Sequence, residues 1–377
     1  MPLDSRALVS RTIGILDWVG NSVERVIVFG IELARRTLRR CDPRIYFEGA
    51  RVKQITEGRA CEPTGKFVVF VLYARSDLPS FTANFVAALN NSPFNLIVVS
   101  NTELTASARR DLLQNCCLLI ERKNMGRDFG GYKDGISIAF RRFQNIERLV
   151  IANDSVFFIE NGLDKLIKAL DGPQDFIGIS EVLEHHYHVA SFLVSFGPRV
   201  LKNSVFLRFW ADYLPIQTRM WAIIKGEGEL TKRLMGAGYR PHILFKAEHL
   251  LPKLQSMDAS EFRKATQLFS QQVRGNLSLR AAEVNVTANN RAAAAVEEVL
   301  KANQMHAAGF LFMKFLGLPL FKRDIVYREL FELPEVKRIV ADFGMAMPCE
   351  IIDDLDRRPA PKAWNVLARL LYRHGFI

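Results

Sequence analysis

The sequence lacks the marks of several large classes of protein. No stretch reaches the roughly 18 uninterrupted apolar residues that a membrane-spanning helix needs. Residues 1–10 include Asp4 and Arg6 and lead into no apolar core, so we expect no secretory signal peptide. The five cysteines show no CxxC spacing, which predicts neither a disulfide framework nor a zinc site and favours a reducing, cytoplasmic compartment. The sequence also shows no internal repeat and no recognised nucleic-acid-binding motif.

Acidic residues are in the minority. The 377 residues carry 51 Lys and Arg against 40 Asp and Glu, a net charge of +11. A chain so basic is expected to meet a polyanion: nucleic acid, an anionic lipid surface or a phosphorylated substrate. Nucleic acid is the least favoured of the three, because the arginines are scattered. The length allows a sizeable core and more than one structural unit.

The N-terminal segment, about residues 5–40, has apolar residues at helical spacing and closes with Arg35, Arg36, Arg39 and Arg40. Such a basic amphipathic helix can lie on an anionic membrane surface, or it can pack on the body of the protein with a solvated basic edge. Residues 41–65 are rich in Gly and Pro and read as a linker. We therefore predict an N-terminal region over 1–62, a central domain over 63–250 and a helical region over 251–377.

The central domain begins with KFVVFVLY at Lys66–Tyr73, a continuously apolar run typical of a strand buried on both faces. Helical and strand patterns then alternate, which predicts βαβ units and an α/β fold with a mostly parallel sheet. The predicted strands after the first are Asn95–Ser100, Cys116–Glu121, Arg148–Ala152, Asp175–Ser180 and Val189–Phe196. The predicted helices are Leu78–Asn90, Glu103–Asn115, about Phe129–Phe143, Asn161–Leu170, Pro198–Tyr213 and Glu227–Ala237.

Polar clusters follow three of these strands. In an open parallel sheet, ligands bind beyond the carboxyl ends of the strands, so these clusters are candidates for one site. The candidates for donor binding are Tyr73, Arg75, Asn124, Gly126, Arg127, Asp128 and Asn153, with Asp154 beside them.

Residues 121–135 read ERKNMGRDFGGYKDG. Glycines here can let the backbone approach a ligand, Arg127 can pair with phosphate, and Asp128 can accept hydrogen bonds from sugar hydroxyls. The alternative is that Asp128 only caps the helix and Arg127 forms a structural ion pair.

Asp154 follows the fourth strand. A carboxylate at that place can hold Mg²⁺ or Mn²⁺ together with substrate phosphates, or it can simply bond its own turn. Further on, His185 and His188 lie in EHHYH and are candidates for the acceptor side, or members of a polar loop. Glu227 and Glu229 open a helix, where either can serve as a general base or complement the helix dipole.

Several of these segments, taken in order, resemble a known family. KNMGRDFGGYKDG and LVIANDSVFF resemble the rhamnan synthesis F family, and more broadly GT-A glycosyltransferases of bacterial surface polysaccharides. YHVASFLVSFGPRVLKNSVFLRFWADY, GEGELTKRLMGAGYRP and HAAGFLFMKFLGLPLFKRDIVYREL continue the resemblance, which covers about residues 66–330.

The resemblance implies transfer of a sugar, typically a deoxyhexose such as rhamnose, from a nucleotide diphosphate donor to a growing or lipid-linked glycan. It places Asn124, Gly126, Arg127 and Asp128 in the donor site. It places Asp154 where GT-A enzymes hold a divalent metal, Mn²⁺ or Mg²⁺, although NDS has one acid where a full DxD motif has two. Glu227 stands where the family has a glutamate leading a helix.

The expectation is therefore a GT-A-like glycosyltransferase, cytoplasmic and peripheral to the inner face of the plasma membrane, with no nucleic-acid partner. One alternative is a non-catalytic glycan-binding or assembly subunit that keeps the fold. A second is a sugar nucleotidyltransferase. That class normally has a glycine-rich loop with a Lys after the first strand, where this chain has YARSD.

Overall fold

Eight strands form one mixed, mostly parallel sheet in the computed structural model, which describes residues 26–59, 61–74, 77–183, 186–281, 287–344 and 347–357. The strands are β1 Val52–Glu57, β2 Lys66–Leu72, β3 Asn95–Ser100, β4 Leu118–Arg122, β5 Arg148–Asn153, β6 Val156–Phe158, β7 Phe176–Gly178, β8 Glu181–Val182, β9 His188–Val189, β10 Leu193–Phe196, β11 His242–Ile243 and β12 Leu320–Lys322. The large sheet has the order β1-β4-β3-β2-β5-β10-β7-β11, while β12 pairs with β6 and β8 with β9. The central strands β4, β3, β2 and β5 run parallel, and β1 and β10 are antiparallel to their neighbours.

Helices cover both faces of this sheet. They are α1 26–40, α2 Glu48–Arg51, α3 Ser80–Asn90, α4 Ala106–Asn115, α5 Arg127–Arg142, α6 Leu163–Leu170, α7 Pro198–Leu201, α8 Ser204–Asp212, α9 Arg219–Trp221, a π-helical segment Ala222–Gly228, α10 Glu229–Gly236, α11 Leu251–Gln255, α12 Ala259–Ala265, α13 Gln271–Ala281, α14 Ala288–Leu300, α15 Gln304–Leu316, α16 Leu333–Asp342 and α17 Cys349–Asp356. In the described residues after 251 the regular elements are helices, apart from β12, and residues 323–331 form turns and bends.

Strand β2 shows how the sequence builds the two layers. Val68, Phe70 and Leu72 point to one face and pack with α3, α6 and the C-terminal helices. Phe67, Val69 and Val71 point to the other face and pack with α5, α8 and α10. Because alternate side chains of a strand face opposite ways, a strand buried on both faces must be apolar throughout. KFVVFVL meets that requirement, and the predicted α/β architecture is confirmed at this level.

The linker prediction over residues 41–65 is wrong for residues 52–57. These residues form β1, which pairs antiparallel with β4 at the edge of the sheet. Only Val52, Ile55 and Thr56 are half-buried there, and the other side chains of β1 are exposed. An edge strand buries little of its surface, so its apolar pattern is weak, and the surrounding Gly and Pro residues outweighed it.

Three glycines of α5 and its N-cap lie in close packing contacts. Gly126 is the N-cap with φ +79°, and a Cβ there would lie 2.4 Å from Pro215 Cβ. A Cβ on Gly131 would lie 2.7 Å from Val71 Cγ2, and one on Gly135 would lie 2.5 Å from Val69 Cγ1. These distances are too short for any side chain, so glycine lets α5 lie directly on β2.

In helix α1, several arginines contact the body of the protein, whereas several apolar side chains face outward. Arg36 and Arg40 lie over the ring of Trp221, at 5.9 and 5.4 Å from its centroid, and Arg39 donates to the Gln217 carbonyl. The apolar side chains that point outward are Val26, Ile27, Phe29, Leu33 and Leu38, which are between 52% and 73% exposed. The predicted solvated basic edge is therefore not observed, because most of the arginines face the body of the protein. Residues 1–25 of the predicted N-terminal helix lie outside the described residues.

No helix in the described ranges combines the length and the apolar character needed to cross a bilayer.

Candidate functional site

The candidate site lies where the carboxyl ends of β2 and β5 meet the amino end of α5. Val71 on β2 is paired with Asn153 on β5, so the residues after both strands lie side by side. The Tyr73 backbone N–H donates to Asp154 Oδ2 at 3.0 Å. The Asn153 amide donates to Asp128 Oδ2 at 3.1 Å. All three predicted strand-end clusters, one of which leads into α5, therefore form one polar surface, as the parallel topology requires.

Asp128 lies in the first turn of α5 but does not cap the helix. Gly126 occupies the N-cap position, and no side chain makes a capping hydrogen bond there. Burial raises the pKa of Asp128 to about 6, with Arg127 lowering it and the nearby carboxylates of Asp154 and Glu227 raising it further. The carboxylate thus sits at the edge of ionisation near neutral pH, with an amide as its hydrogen-bond partner.

Asp154 already has protein partners. Besides the Tyr73 N–H, its Oδ2 lies 3.5 Å from Arg323 Nη1, and the same guanidinium donates to the Asp154 carbonyl at 2.9 Å. Within the part of the chain that the structure describes, no three His, Cys, Asp or Glu side chains lie close enough to form a metal centre. A divalent cation at Asp154 would therefore take its remaining ligands from the phosphates of a substrate and from water.

Glu227 is fixed on the opposite wall by Ser191 and His188. Its Oε1 accepts from the Ser191 hydroxyl at 2.6 Å and from the Ser191 N–H at 3.1 Å. Its Oε2 lies 3.5 Å from His188 Nε2. Burial raises the pKa of Glu227, but His188 and Ser191 outweigh it and bring the pKa down to about 2. Glu227 is therefore an ionised carboxylate at neutral pH.

Glu229 points elsewhere. Its Oε1 accepts from Arg233 Nε at 2.8 Å, one turn along the same helix, and Arg233 is the main reason that its pKa is lowered. Of the two glutamates that the sequence left open, Glu227 is the one whose charge raises the pKa of Asp128.

The other predicted residues divide into three groups. Tyr73 takes part through its backbone, and its side chain is 40% exposed. Asn124 and Arg127 are exposed at the rim, and the Arg127 N–H donates to Gln217 Oε1 at 2.9 Å with the residue at φ +54°. Arg75 and His185 lie outside the described residues.

His188 and the π-helical segment meet in a way that sequence periodicity did not predict. His188 Nδ1 lies 3.0 Å from the His186 carbonyl, while its Nε2 faces Glu227. Both ring nitrogens thus face acceptors, an arrangement that suits the protonated imidazolium. The candidate acceptor-side histidine is therefore the ion-pair partner of the candidate base.

Sequence reasoning missed Ser191, Lys322 and Arg323. Nothing in the sequence around Ser191 marks it. Lys322 and Arg323 could have been suspected, because KRD interrupts an otherwise apolar tail. Strand β12 places them beside β6, directly after Asp154. Asp324 next to them is paired with His306 at 2.9 Å and with Arg328 at 3.2 Å.

With this geometry established, the comparison with known families is direct. The family described as rhamnan synthesis protein F matches residues 96–308, more than half of the chain. The chain belongs to the rhamnan synthesis protein F family. The match includes α5, Asp154 and Glu227, and it ends before β12. Membership in the rhamnan synthesis protein F family connects the chain with the synthesis of rhamnan-type polysaccharides.

Two curated relatives are similar over parts of their length. An uncharacterised protein y4gN of Sinorhizobium fredii is 28% identical over 221 residues, which cover 57% of each chain. The virulence protein VirA of Vibrio anguillarum is 26% identical over 159 residues, or 41% of this chain and 50% of the relative. The chain thus spans about half the length of the curated relatives that it matches.

Proposed function

We propose that this member of the rhamnan synthesis F family is a GT-A-type glycosyltransferase. It would move a sugar, such as rhamnose or another deoxyhexose, from a nucleotide diphosphate donor to a lipid-linked or growing surface polysaccharide. The observation that supports this most strongly is the convergence of Asp128, Asp154 and Glu227 at the carboxyl edge of the sheet, each on a different element. That edge is where open α/β sheets bind ligands.

Asp128 and Asn153 are the proposed contacts to donor hydroxyls. The Asn153 amide already donates one hydrogen bond to the Asp128 carboxylate. The carboxylate can accept a further hydrogen bond from a sugar or ribose diol, and the amide can donate one to it. Asp154 is the proposed ligand of a divalent cation, Mn²⁺ or Mg²⁺, which would offset the negative charge of the departing diphosphate.

Glu227 is the proposed base that takes the proton of the acceptor hydroxyl. It is ionised at neutral pH and held rigidly by Ser191 and His188. A carboxylate with a pKa of about 2 is a weak base, so its contribution should lie at the low end of general-base effects, about 100-fold. Glu229 is not available for this step while it is bonded to Arg233.

The outward face of α1 is the proposed contact to an anionic membrane surface. Its exposed apolar side chains would enter the interface, and Arg40, which lies over Trp221 but remains exposed at the end of α1, would meet lipid phosphates. We expect Phe29→Glu combined with Leu33→Glu to release the protein from sedimenting anionic vesicles. Leu207→Glu combined with Leu279→Glu changes two exposed leucines elsewhere and should not. Equal sedimentation of both double variants would contradict this assignment.

The transferase assignment is tested by mixing purified protein with a panel of nucleotide sugars and a glycan acceptor. We expect one sugar nucleotide to be consumed, and Asp154→Asn to abolish the transfer while the protein stays folded by circular dichroism. Full activity of Asp154→Asn would refute the mechanism. Binding of a nucleotide sugar without any transfer would instead favour a non-catalytic assembly subunit, and calorimetry distinguishes that outcome from no binding at all.

A further inference from the structure

The segment after the family match contributes to the candidate site. Strand β12 pairs antiparallel with β6, with Lys322 opposite Val156. The Arg323 N–H donates to the Ser155 carbonyl at 3.1 Å, and its guanidinium bonds Asp154. These backbone contacts fix Lys322 and Arg323 beside Asp154. The two residues are nevertheless far from Asp154 in the sequence, because the helices α6 to α15 lie between them.

Lys322 has few compensating contacts for an ammonium that is not fully exposed. Its Nζ lies 3.4 Å from Ser155 Oγ and 4.5 Å from the centroid of the Phe192 ring. Within the described residues, no carboxylate lies within the 4 Å distance of an ion pair with Nζ, although Asp128, Glu227 and Asp324 act on it from farther away. Removing a charge from water without a close counter-ion is costly, so the protein holds this ammonium against a free-energy penalty.

Further cations lie on the same side. Burial is the main cause that lowers the pKa of Arg219 to about 10; Arg328 and Arg127 lower it further, while Asp324 and Glu227 raise it. Arg219 also acts on Lys322 in the same sense. A polyanion bound between these side chains would relieve their mutual repulsion, whereas a neutral sugar would not.

We propose that Lys322 binds a phosphate oxygen of the donor diphosphate, with Arg219 and Arg328 supplying further positive charge around that group. The inference rests on the proposed function and deepens it, because it names the side chains that would hold the diphosphate. It also assigns a role to β12, which lies beyond the residues that match the family. An ammonium needs no metal to bond a phosphate oxygen, so this contact acts independently of any cation at Asp154.

The test is calorimetric titration of the full chain with inorganic pyrophosphate and with UDP, GDP and dTDP, in buffers containing either Mn²⁺ or EDTA. Lys322→Met keeps a chain of similar length on Phe192 and removes only the charge. We expect it to weaken diphosphate binding by about 10- to 100-fold in both buffers, the effect of losing one charge-assisted hydrogen bond. Lys322→Arg should bind within a few-fold of the unmodified protein, since it keeps the charge.

Lys253→Met is the matched control, because it removes the same charge from an exposed position on α11 and should leave binding unchanged. The midpoint of thermal unfolding of Lys322→Met should be at least as high as that of the unmodified protein, because the substitution removes a charge whose burial is unfavourable. If Lys322→Met does not fold, Lys322→Gln takes its place in the titration, because it also removes the charge.

Two results would overturn the inference. One is diphosphate affinity in Lys322→Met within twofold of the unmodified protein. The other is no binding of any of the four diphosphates to the unmodified protein. If Lys322→Met weakens binding but no sugar transfer is found with any donor, the inference stands and the transferase proposal alone fails. If transfer is found and Lys322→Met binds normally, only the inference fails.

Discussion

Helix α5 carries two aspartates inside the protein, and their surroundings differ. Asp134 is fully buried between two arginines: Arg51 Nη2 lies 2.5 Å from its Oδ1, and Arg122 Nε lies 2.8 Å from its Oδ2. Asp128, at the first turn of the same helix, receives its side-chain hydrogen bond from an amide, that of Asn153. One carboxylate is thus saturated by cations, and the other faces a mixture of carboxylates and cations at the sheet edge.

The difference separates a structural acid from a binding acid. Arg51 also donates to the carbonyls of Arg44 and Ile45, and Arg122 to that of Met125, so Asp134 ties α2, β4 and α5 together. Asp128 makes no such tie, and burial together with its acidic neighbours raises its pKa to about 6. An acid kept under such conditions lowers stability when it is ionised, and the role proposed for it here is to bind the donor.

The largest expected effect is that of Asp134→Asn on stability. Removing this charge leaves the buried guanidinium groups of Arg51 and Arg122 without a counter-ion, which typically costs about 3–5 kcal/mol. Urea denaturation followed by tryptophan fluorescence measures the loss. A change below about 1 kcal/mol would show that Asp134 is not the structural member of the pair.

Asp128→Asn is the matched substitution on the same helix, and it should change the free energy of unfolding in the opposite direction. The native pKa of about 6 lies above the ordinary value of 3.8, so ionised Asp128 lowers the stability of the folded state as the pH rises through about 4 to 6. Above pH 6, Asp128→Asn should therefore unfold no earlier than the unmodified protein, and it can be more stable by up to about 3 kcal/mol.

The next largest effect is expected for Glu227→Gln. This substitution should change the rate of sugar transfer and not the stability of the protein. The amide cannot accept a proton, so we expect sugar transfer to slow by about 100-fold with donor affinity little changed. Glu229→Gln is the control on the same segment and should slow transfer by less than about threefold. Equal losses in the two variants would mean that the contacts to Ser191 and His188 do not mark the base.

The smallest expected effect is the pH dependence of donor binding. If only the ionised Asp128 carboxylate accepts the donor hydroxyls, donor affinity should fall about tenfold between pH 7 and pH 5, because the pKa is about 6. Asp154, Glu227, Arg127 and Lys322 also face this group, so the free protein and the complex can titrate at different pH. Calorimetry across this range checks the fall, and Asp128→Asn should flatten it.

The sequence predicted the sheet well because its strands are buried on both faces. KFVVFVL and NLIVVS need nearly continuous apolar residues, and such runs are visible in one sequence. The same argument located the site, since the carboxyl ends of β2 and β5 meet whatever the side chains are. The search for apolar runs did not find β1, because an edge strand buries little side-chain surface and needs few apolar residues.

The roles of individual residues depended on contacts that no local pattern encodes. Ser191 and Glu227 come together only because the π-helical segment packs beside β9 and the turn that follows it. Lys322 reaches Ser155, and Arg323 reaches Asp154, only through the pairing of β12 with β6. The glycines of α5 were identified as special from the sequence, and the structure shows that Gly131 and Gly135 lie against β2. A glycine pattern shows that something approaches closely, not whether it is a ligand or a strand.

The most direct test of the account is the affinity of Asp128→Asn for the nucleotide sugar that stabilises the unmodified protein, measured at about pH 7.5 by calorimetry. The account predicts at least a tenfold loss of affinity in a variant that is as stable as the parent or more so. Unchanged affinity for that nucleotide sugar would contradict the assignment of Asp128 as the binding acid of α5.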